Sequence, residues 1–180
     1  MFAALPDVVI RNGRETDLPG LVEIYNYYVS NAHVTFDTEL ATVESRRPWF
    51  QAFSIGPHQL LVAEGSQGLL GCATSSQYRM HPAFDQTVET GIYLNPSARR
   101  KGVGTQLYTS LLKVLESQPV HLAVAGVALP NDASVALHRK LGFKEVGVFC
   151  EYAIKLDVRI SSLWFQRPIR PTQILKEPLA

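Results

Sequence analysis

Three consecutive basic residues, Arg99, Arg100 and Lys101, run into two glycines one residue apart, Gly102 and Gly104. That grouping suits an anion carrying several phosphate charges. Glycine lacks a Cβ, so the chain can bend tightly there and bring backbone N–H groups up to an oxyanion. A helix that starts at this point adds unpaired amide donors and the positive end of its dipole. The phosphate-binding set read from this turn is Arg99, Arg100, Lys101, Gly102, Val103, Gly104 and Thr105. Two better-known glycine motifs fail on spacing. A dinucleotide fingerprint needs a third glycine where Leu107 stands, and a Walker loop needs GK followed by Ser or Thr. A glycine turn with a solvated basic face is the alternative reading.

The elements around the turn have the order such a site needs. Residues 88–94 read as a buried strand leading into it, and Val103, Leu107, Leu111 and Leu115 recur every four residues on the helix behind it, which Pro119 ends. Residues 120–128 form a continuous run of small and branched apolar residues, as expected of a strand covered on both faces. A strand is expected over 8–11 and a helix over 17–30, with Thr16 or Asp17 as cap and Pro19 in its first turn. A second helix starts at Thr42 and runs to about Phe53. Residues 59–64 and 69–77 flank GSQG as a hairpin. Asn131 or Asp132 caps a short helix over 133–141, closed by Gly142, and two further strands fit 144–152 and 157–167. The order is βααβββαβαββ: one α/β (α+β) domain over 1–167, then a proline-punctuated tail over 168–180.

Composition narrows the class. The 180 residues are 46% apolar, enough for one well-formed core, and the net charge is +1. With the basic residues local rather than spread along a stripe, a nucleic-acid partner is not expected. No apolar run approaches the ~20 residues of a membrane span, and the N-terminal residues lack the basic start of a signal peptide. Cys72 and Cys150 are too few for a disulfide framework, and each is expected in a strand as a small core residue. No His/Cys/Asp grouping has metal-ligand spacing, so no metal is expected. A cytoplasmic location follows as the expectation.

The run RRKGVG, 99–104, resembles the (Q/R)xxGx(G/A) signature of the GNAT N-acetyltransferase superfamily, and LPNDASVALHRKLGF, 129–143, is a second match at the spacing seen there. Within that superfamily the chain is most similar to the phosphinothricin and methionine sulfoximine acetyltransferase group, through IYNYYVSNAHVTFDTE (24–39), QYRMHPAF (77–84) and TVET (87–90). The resemblance spans about 8–165. It implies the acyl-CoA N-acyltransferase fold, a mixed sheet that splays between its fourth and fifth strands, with acetyl-CoA as cosubstrate and its pyrophosphate on the glycine turn. Diverging strands leave main-chain groups that the pantetheine amides can pair with as an added strand would. Ile92 and Leu94 are the backbone partners expected before the turn, and the resemblance assigns Asn131 to the pantetheine arm, with helix capping as a compatible second role.

The reaction implied is acetyl transfer from a thioester to an amine. An ammonium has no free lone pair, and an alkyl amine has a pKa near ~10, so a base is required. The resemblance gives that role to Glu89, acting directly or through water; a surface carboxylate on the strand edge is the alternative. The N–H of Ile92 or Tyr93 is placed to serve the oxyanion. His138 stands where the resembled group has histidine and many relatives have tyrosine, and it is read either as the acid that protonates the departing thiolate or as a residue packed under the cofactor.

For the acceptor, the resemblance points to Tyr78, Arg79 and Phe84 after the third strand and to Phe36 after the first helix. Arg79 suits a carboxylate clamp. The pattern departs at His81, where arginine is usual, at Phe84, where tyrosine is usual, at Asp85, where a basic residue often follows, and at TGIY (90–93). Three functions stay open: an N-acetyltransferase for a small amino acid or its analogue, one for an antibiotic amine, polyamine or protein N-terminus, and a non-catalytic acyl-CoA-binding module. The resemblance also implies a homodimer.

Overall fold

The structure is a computed structural model that describes residues 8–53, 56–99 and 101–170. Arg100 and residues 171–180 of the tail lie outside the described residues. Among the described residues, seven strands and four helices follow the expected order: β1 (Val9–Asn12), α1 (Leu18–Asn31), α2 (Val43–Gln51), β2 (Gln59–Gly65), β3 (Gly68–Gln77), β4 (Thr87–Leu94), α3 (Val103–Glu116), β5 (Leu122–Leu129), α4 (Asp132–Lys140), β6 (Lys144–Lys155) and β7 (Val158–Pro168). The strands form one sheet in the order β1-β2-β3-β4-β5-β7-β6, with β4–β5 parallel and every other pair antiparallel.

Each helix stands where its sequence pattern finds a sheet face. In α3 the four-residue repeat buries Val103, Leu107, Leu111 and Leu115 together with Tyr108, and these pack on Ala73, Val88, Ala123 and Ala125 of the sheet. Each buried leucine contributes ~1.5–3 kcal/mol relative to exposure, so α3 is tied firmly to the strands on both sides of the β4–β5 junction. On the opposite face, Leu21 of α1 packs with Leu60, Val62 and Cys72, flanked by Trp49 of α2. Thr42 caps α2, accepting from the Ser45 amide at 3.1 Å while Ser45 Oγ accepts from the Thr42 amide at 2.9 Å. Asp17 does not act as a side-chain cap for α1. Its carboxylate is buried against Arg11, at 2.7 and 2.8 Å, and against the Arg14 amide.

The site is made by how little of β4 and β5 pair. Only Thr87↔Leu122, Val88↔Ala123 and Glu89↔Val124 are in register. Beyond Glu89, β4 stays with β3 as far as Gly71↔Leu94, while β5 stays with β7 as far as Leu129↔Ser161. The two strands therefore part at Thr90, and the gap between them widens toward the glycine turn. This is the expected splay.

Three details differ from expectation. Short 3-10 turns at Glu15–Asp17, Pro82–Phe84 and Pro96–Ala98 were not foreseen. Strand β6 runs to Lys155, with register breaks after Glu145 and after Phe149 and a positive φ of 49° at Glu151. Cys72 is buried as expected, but Cys150 is exposed, because it lies beside the second break on a strand with a neighbour on one side only. No helix among the described residues is long and apolar enough to cross a membrane.

Candidate active site

The gap between β4 and β5 continues into a cleft of about 640 Å³ whose lining includes Ile92, Tyr93, Leu94, Arg99, Gly102, Gly104, Thr105, Asn131 and His138. These nine sequence-predicted residues come from both halves of the chain. Gly102 holds φ 78°, in the left-handed region that glycine adopts without strain, and it is the N-cap of α3 with no side-chain cap bond. The first amides of α3 are thus left without a capping side chain. A Cβ on Gly104 would lie 3.1 Å from the Leu94 side chain, so a larger residue would crowd the wall between helix and strand. Val103 faces the core instead, 1% exposed; only its main chain is available to a ligand. Lys101 is exposed and outside the cleft lining. The Arg99 guanidinium lies over the rings of Tyr28 and Tyr27, 5.2 and 5.6 Å from their centroids.

Tyr28, which was not among the expected site residues, donates its hydroxyl to Leu94 O at 2.6 Å. That bond takes one of the two lone pairs of the Leu94 carbonyl, a main-chain partner expected for the pantetheine arm. Asn131 caps α4 by accepting from the Ser134 amide at 3.2 Å, a bond made by Oδ1 that leaves the Nδ2 donors for the cleft.

Alternation along β4 sorts its side chains by face. Thr90, Ile92 and Leu94 point toward α3, where Thr90 Oγ1 meets Tyr108 Oη at 2.6 Å. Tyr93 points the other way and packs edge-on with Tyr25 and Tyr28, at 5.3 and 5.5 Å. Glu89 shares that second face and is absent from the cleft lining. It therefore stands across the sheet from the α3 side, at the last residue pair before the strands part. Burial pushes its carboxyl up from the ordinary range, and among the described residues no partner charge or hydrogen bond pulls it back.

His138 is buried, 3% exposed, stacked on Phe165 at 5.2 Å and edge-on to Phe143 and Tyr108. Both its nitrogens are engaged inside the protein: Nδ1 lies 2.8 Å from Ser134 O and Nε2 lies 3.1 Å from Tyr108 Oη. Desolvation lowers its pKa, with the Ser134 carbonyl opposing. A carbonyl can only accept, so the proton of the neutral ring sits on Nδ1 and Nε2 is the acceptor.

The four residues expected at the acceptor site lie outside the cleft lining. Tyr78 and Phe84 meet edge-on at 5.6 Å, and the Arg79 guanidinium lies 5.1 and 5.3 Å from their rings. Phe36 is exposed and packs on Tyr152 at 5.7 Å. Trp164, a residue the sequence did not flag, joins these groups. Its ring lies 6.4 Å from Tyr78 and 6.2 Å from Phe149, and it covers Gly126, where a Cβ would come within 3.2 Å of the indole. Gly126 in turn lines the cleft. His81, in place of the usual arginine, turns back on its own loop and accepts from the Ala83 amide at 3.2 Å. Among the described residues no three His, Cys, Asp or Glu side chains converge as a metal site would require.

Residues 21–143, which carry the parting strands and the glycine-started helix, match the model of the acetyltransferase (GNAT) family. This chain belongs to that family. It is 43% identical over 166 residues to a phosphinothricin N-acetyltransferase of Streptomyces coelicolor, an alignment covering 91% of this chain and 97% of the relative. It is 32% identical over 165 residues to an L-methionine sulfoximine/L-methionine sulfone acetyltransferase of Pseudomonas paraeruginosa, covering 91% and 96%. Among solved structures, a GNAT superfamily phosphinothricin acetyltransferase from Sinorhizobium meliloti in complex with acetyl-CoA superposes with a TM-score of 0.86 at 27% identity, covering 93% of this chain and 94% of that one. The sheet order and the splay are thus those of an acetyltransferase.

Proposed function

We propose that the protein is an acetyl-CoA-dependent N-acetyltransferase for the amine of a small amino acid or amino-acid analogue of the phosphinothricin and methionine sulfoximine kind. The observation that carries this reading is the parting of β4 and β5 after Glu89↔Val124, with a glycine-started helix at the wide end and a desolvated carboxylate at the narrow end. The diphosphate of the cosubstrate lies against the main chain of Gly102, Val103, Gly104 and Thr105, with Arg99, Arg100 and Lys101 as counter-charges. Its arm runs along Ile92 and past Asn131. Glu89, on the face with Tyr78 and Arg79, takes the ammonium proton directly or through one water, and Ile92 or Tyr93 N–H meets the developing oxyanion. Arg79 pairs with the acceptor's carboxylate within the aromatic wall of Tyr78, Phe84 and Phe36. His138, on the cleft lining with both nitrogens bonded within the protein, serves the departing sulfur indirectly.

The protein works as a homodimer in this reading. Strand β6 is the edge of the sheet, and it exposes Val146, Val148, Phe149, Tyr152 and Ile154. An apolar edge of that length is stable in solution when a second copy covers it. Phe149 and Tyr152 also touch Trp164 and Phe36, so the partner would close the acceptor side. Light scattering on the wild type and on Val148→Asp checks this: a dimer and a monomer respectively are expected, and a monomeric wild type overturns it. Two unpaired cysteines suit the cytoplasm. Steady-state acetyl transfer over a panel of phosphinothricin, methionine sulfoximine, free amino acids, polyamines and an N-terminal peptide tests the acceptor. Turnover confined to polyamines or peptides would overturn the amino-acid assignment.

A further inference from the structure

Thr90, Tyr108 and His138 form a buried hydrogen-bonded row that ends on a main-chain carbonyl at each side. His138 Nδ1 lies 2.8 Å from Ser134 O, Nε2 3.1 Å from Tyr108 Oη, Tyr108 Oη 2.6 Å from Thr90 Oγ1, and Thr90 Oγ1 3.1 Å from Val124 O. The two carbonyls only accept, so each of these four contacts needs a proton from the row itself. Neutral imidazole, phenol and hydroxyl bring one each, three protons for four contacts. The row has one vacancy, filled only when His138 is doubly protonated. Ser134 Oγ, 3.4 Å from Nδ1, does not remove it: a proton given by that longer contact would leave Nδ1 and the carbonyl facing each other at 2.8 Å with no hydrogen between them.

The place of the row matters as much as its proton count. Thr90 is the first residue past the last β4–β5 pair, and its hydroxyl bridges to the Val124 carbonyl at the apex of the gap. The glycine turn lies at the other end of the same cleft, and Thr90, Ser134 and His138 all line it. A ligand held by its phosphates at Gly102 and Gly104, with its arm along Leu94 and Ile92, brings its far end to Thr90.

We propose that this row is a proton shuttle for acetyl transfer, with Thr90 touching the reacting atoms and Tyr108 and His138 standing behind it. The proposal rests on the acetyltransferase reading above. Attack forms the C–N bond while the nitrogen still carries one proton in excess of the amide. That proton passes to Thr90 Oγ1 as the Thr90 proton moves to Tyr108 Oη and the Tyr108 proton moves to His138 Nε2, which fills the vacancy. When the C–S bond breaks, its electron pair goes to sulfur, each proton steps back one place, and Thr90 delivers one to the thiolate. Nitrogen and sulfur are bonded to the same carbon at that moment, so one hydroxyl reaches both. The row starts and ends neutral, in keeping with a histidine whose burial disfavours a lasting charge.

The test compares Thr90→Val, Tyr108→Phe and His138→Gln, singly and as the Thr90→Val/Tyr108→Phe pair, with acetyl-CoA binding to each measured by calorimetry. Each single change should lower kcat about 100-fold with little change in acetyl-CoA affinity, and the pair should be no worse than either alone to within about threefold, as for groups that act as a unit. Thr90→Ser should keep kcat. The selenoester analogue of acetyl-CoA, whose selenolate leaves without needing a proton, should recover the part of the Tyr108→Phe loss that comes from protonating the leaving group, which a purely structural defect would not allow. Full activity of Tyr108→Phe, losses that multiply in the pair, or failure of the selenoester to restore rate would overturn the shuttle while leaving the acetyltransferase reading intact. A folded wild type that neither binds nor turns over acetyl-CoA would overturn both.

Discussion

Replacing Glu89 by Gln removes the proposed base and almost nothing else, and the size of the effect follows from the proton it would have taken. At pH 7 an alkyl amine of pKa ~10 is unprotonated in only about one molecule in 10³. Without a base, turnover falls back on that fraction, so kcat/KM should drop about 10³-fold, or about 4 kcal/mol of transition-state stabilisation. The pH profile carries the sharper test. In the wild type, activity should rise with pH through the Glu89 pKa and then level; because burial raises that pKa, the rise should lie above the ordinary carboxylate range. In Glu89→Gln, activity should instead climb about tenfold per pH unit toward the amine's own pKa. The same burial means that ionised Glu89 is disfavoured in the fold, with a folded pKa above the unfolded one. Its contribution to stability therefore declines as pH rises through that interval, and the glutamine variant should melt no lower than the parent at pH 7. A thiol-release assay across pH 5.5–10, with acetyl-CoA affinity measured alongside, reads all of this. Unchanged turnover, or an unchanged profile, refutes the role given to Glu89.

Two further outcomes follow from the same geometry. Arg79→Ala should raise the acceptor KM about 10- to 100-fold, the loss expected of a charged hydrogen-bonded pair, while leaving the acetyl-CoA KM unchanged; an amine without a carboxylate should be indifferent to the change, and steady-state kinetics on both acceptors decides it. Asp17 has its pKa held below the ordinary value by the Arg11 guanidinium, with burial opposing. Its stabilisation is thus full above the unfolded carboxylate pKa of ~3.9 and is lost as pH falls through the folded value, so Arg11→Met should melt lower at pH 7 and the gap should close in acid.

How much of this was legible beforehand depends on the range of the contacts involved. The element order followed from local signals: the four-residue repeat over Val103 to Leu115, the Thr42 cap and the GSQG hairpin. The glycine turn was legible because the reason for Gly102 is local, a left-handed φ of 78° at the start of a helix. The splay between β4 and β5 came from resemblance, since strand pairing over some 35 residues leaves no periodic mark in sequence. Long-range partners were the main omission. Tyr108 carries no local signal that sets it apart on α3, and only the fold reveals that its hydroxyl stands between Thr90 and His138. Trp164 was hidden in the same way within a strand pattern, and its cover over Gly126 belongs to a register no local rule specifies. The exposure of Cys150 was missed because composition ranks residue types and cannot tell an edge strand from a central one.

The claim beneath the whole account is that the glycine turn and the parted strands grip the cosubstrate. Isothermal titration of the wild-type protein and of Gly104→Val with acetyl-CoA measures it directly. One site per chain is expected for the wild type, competed by free CoA, with affinity weakened at least tenfold in Gly104→Val, whose added side chain would press on Leu94 at the phosphate end. A folded wild-type protein that binds neither acetyl-CoA nor CoA would contradict the account.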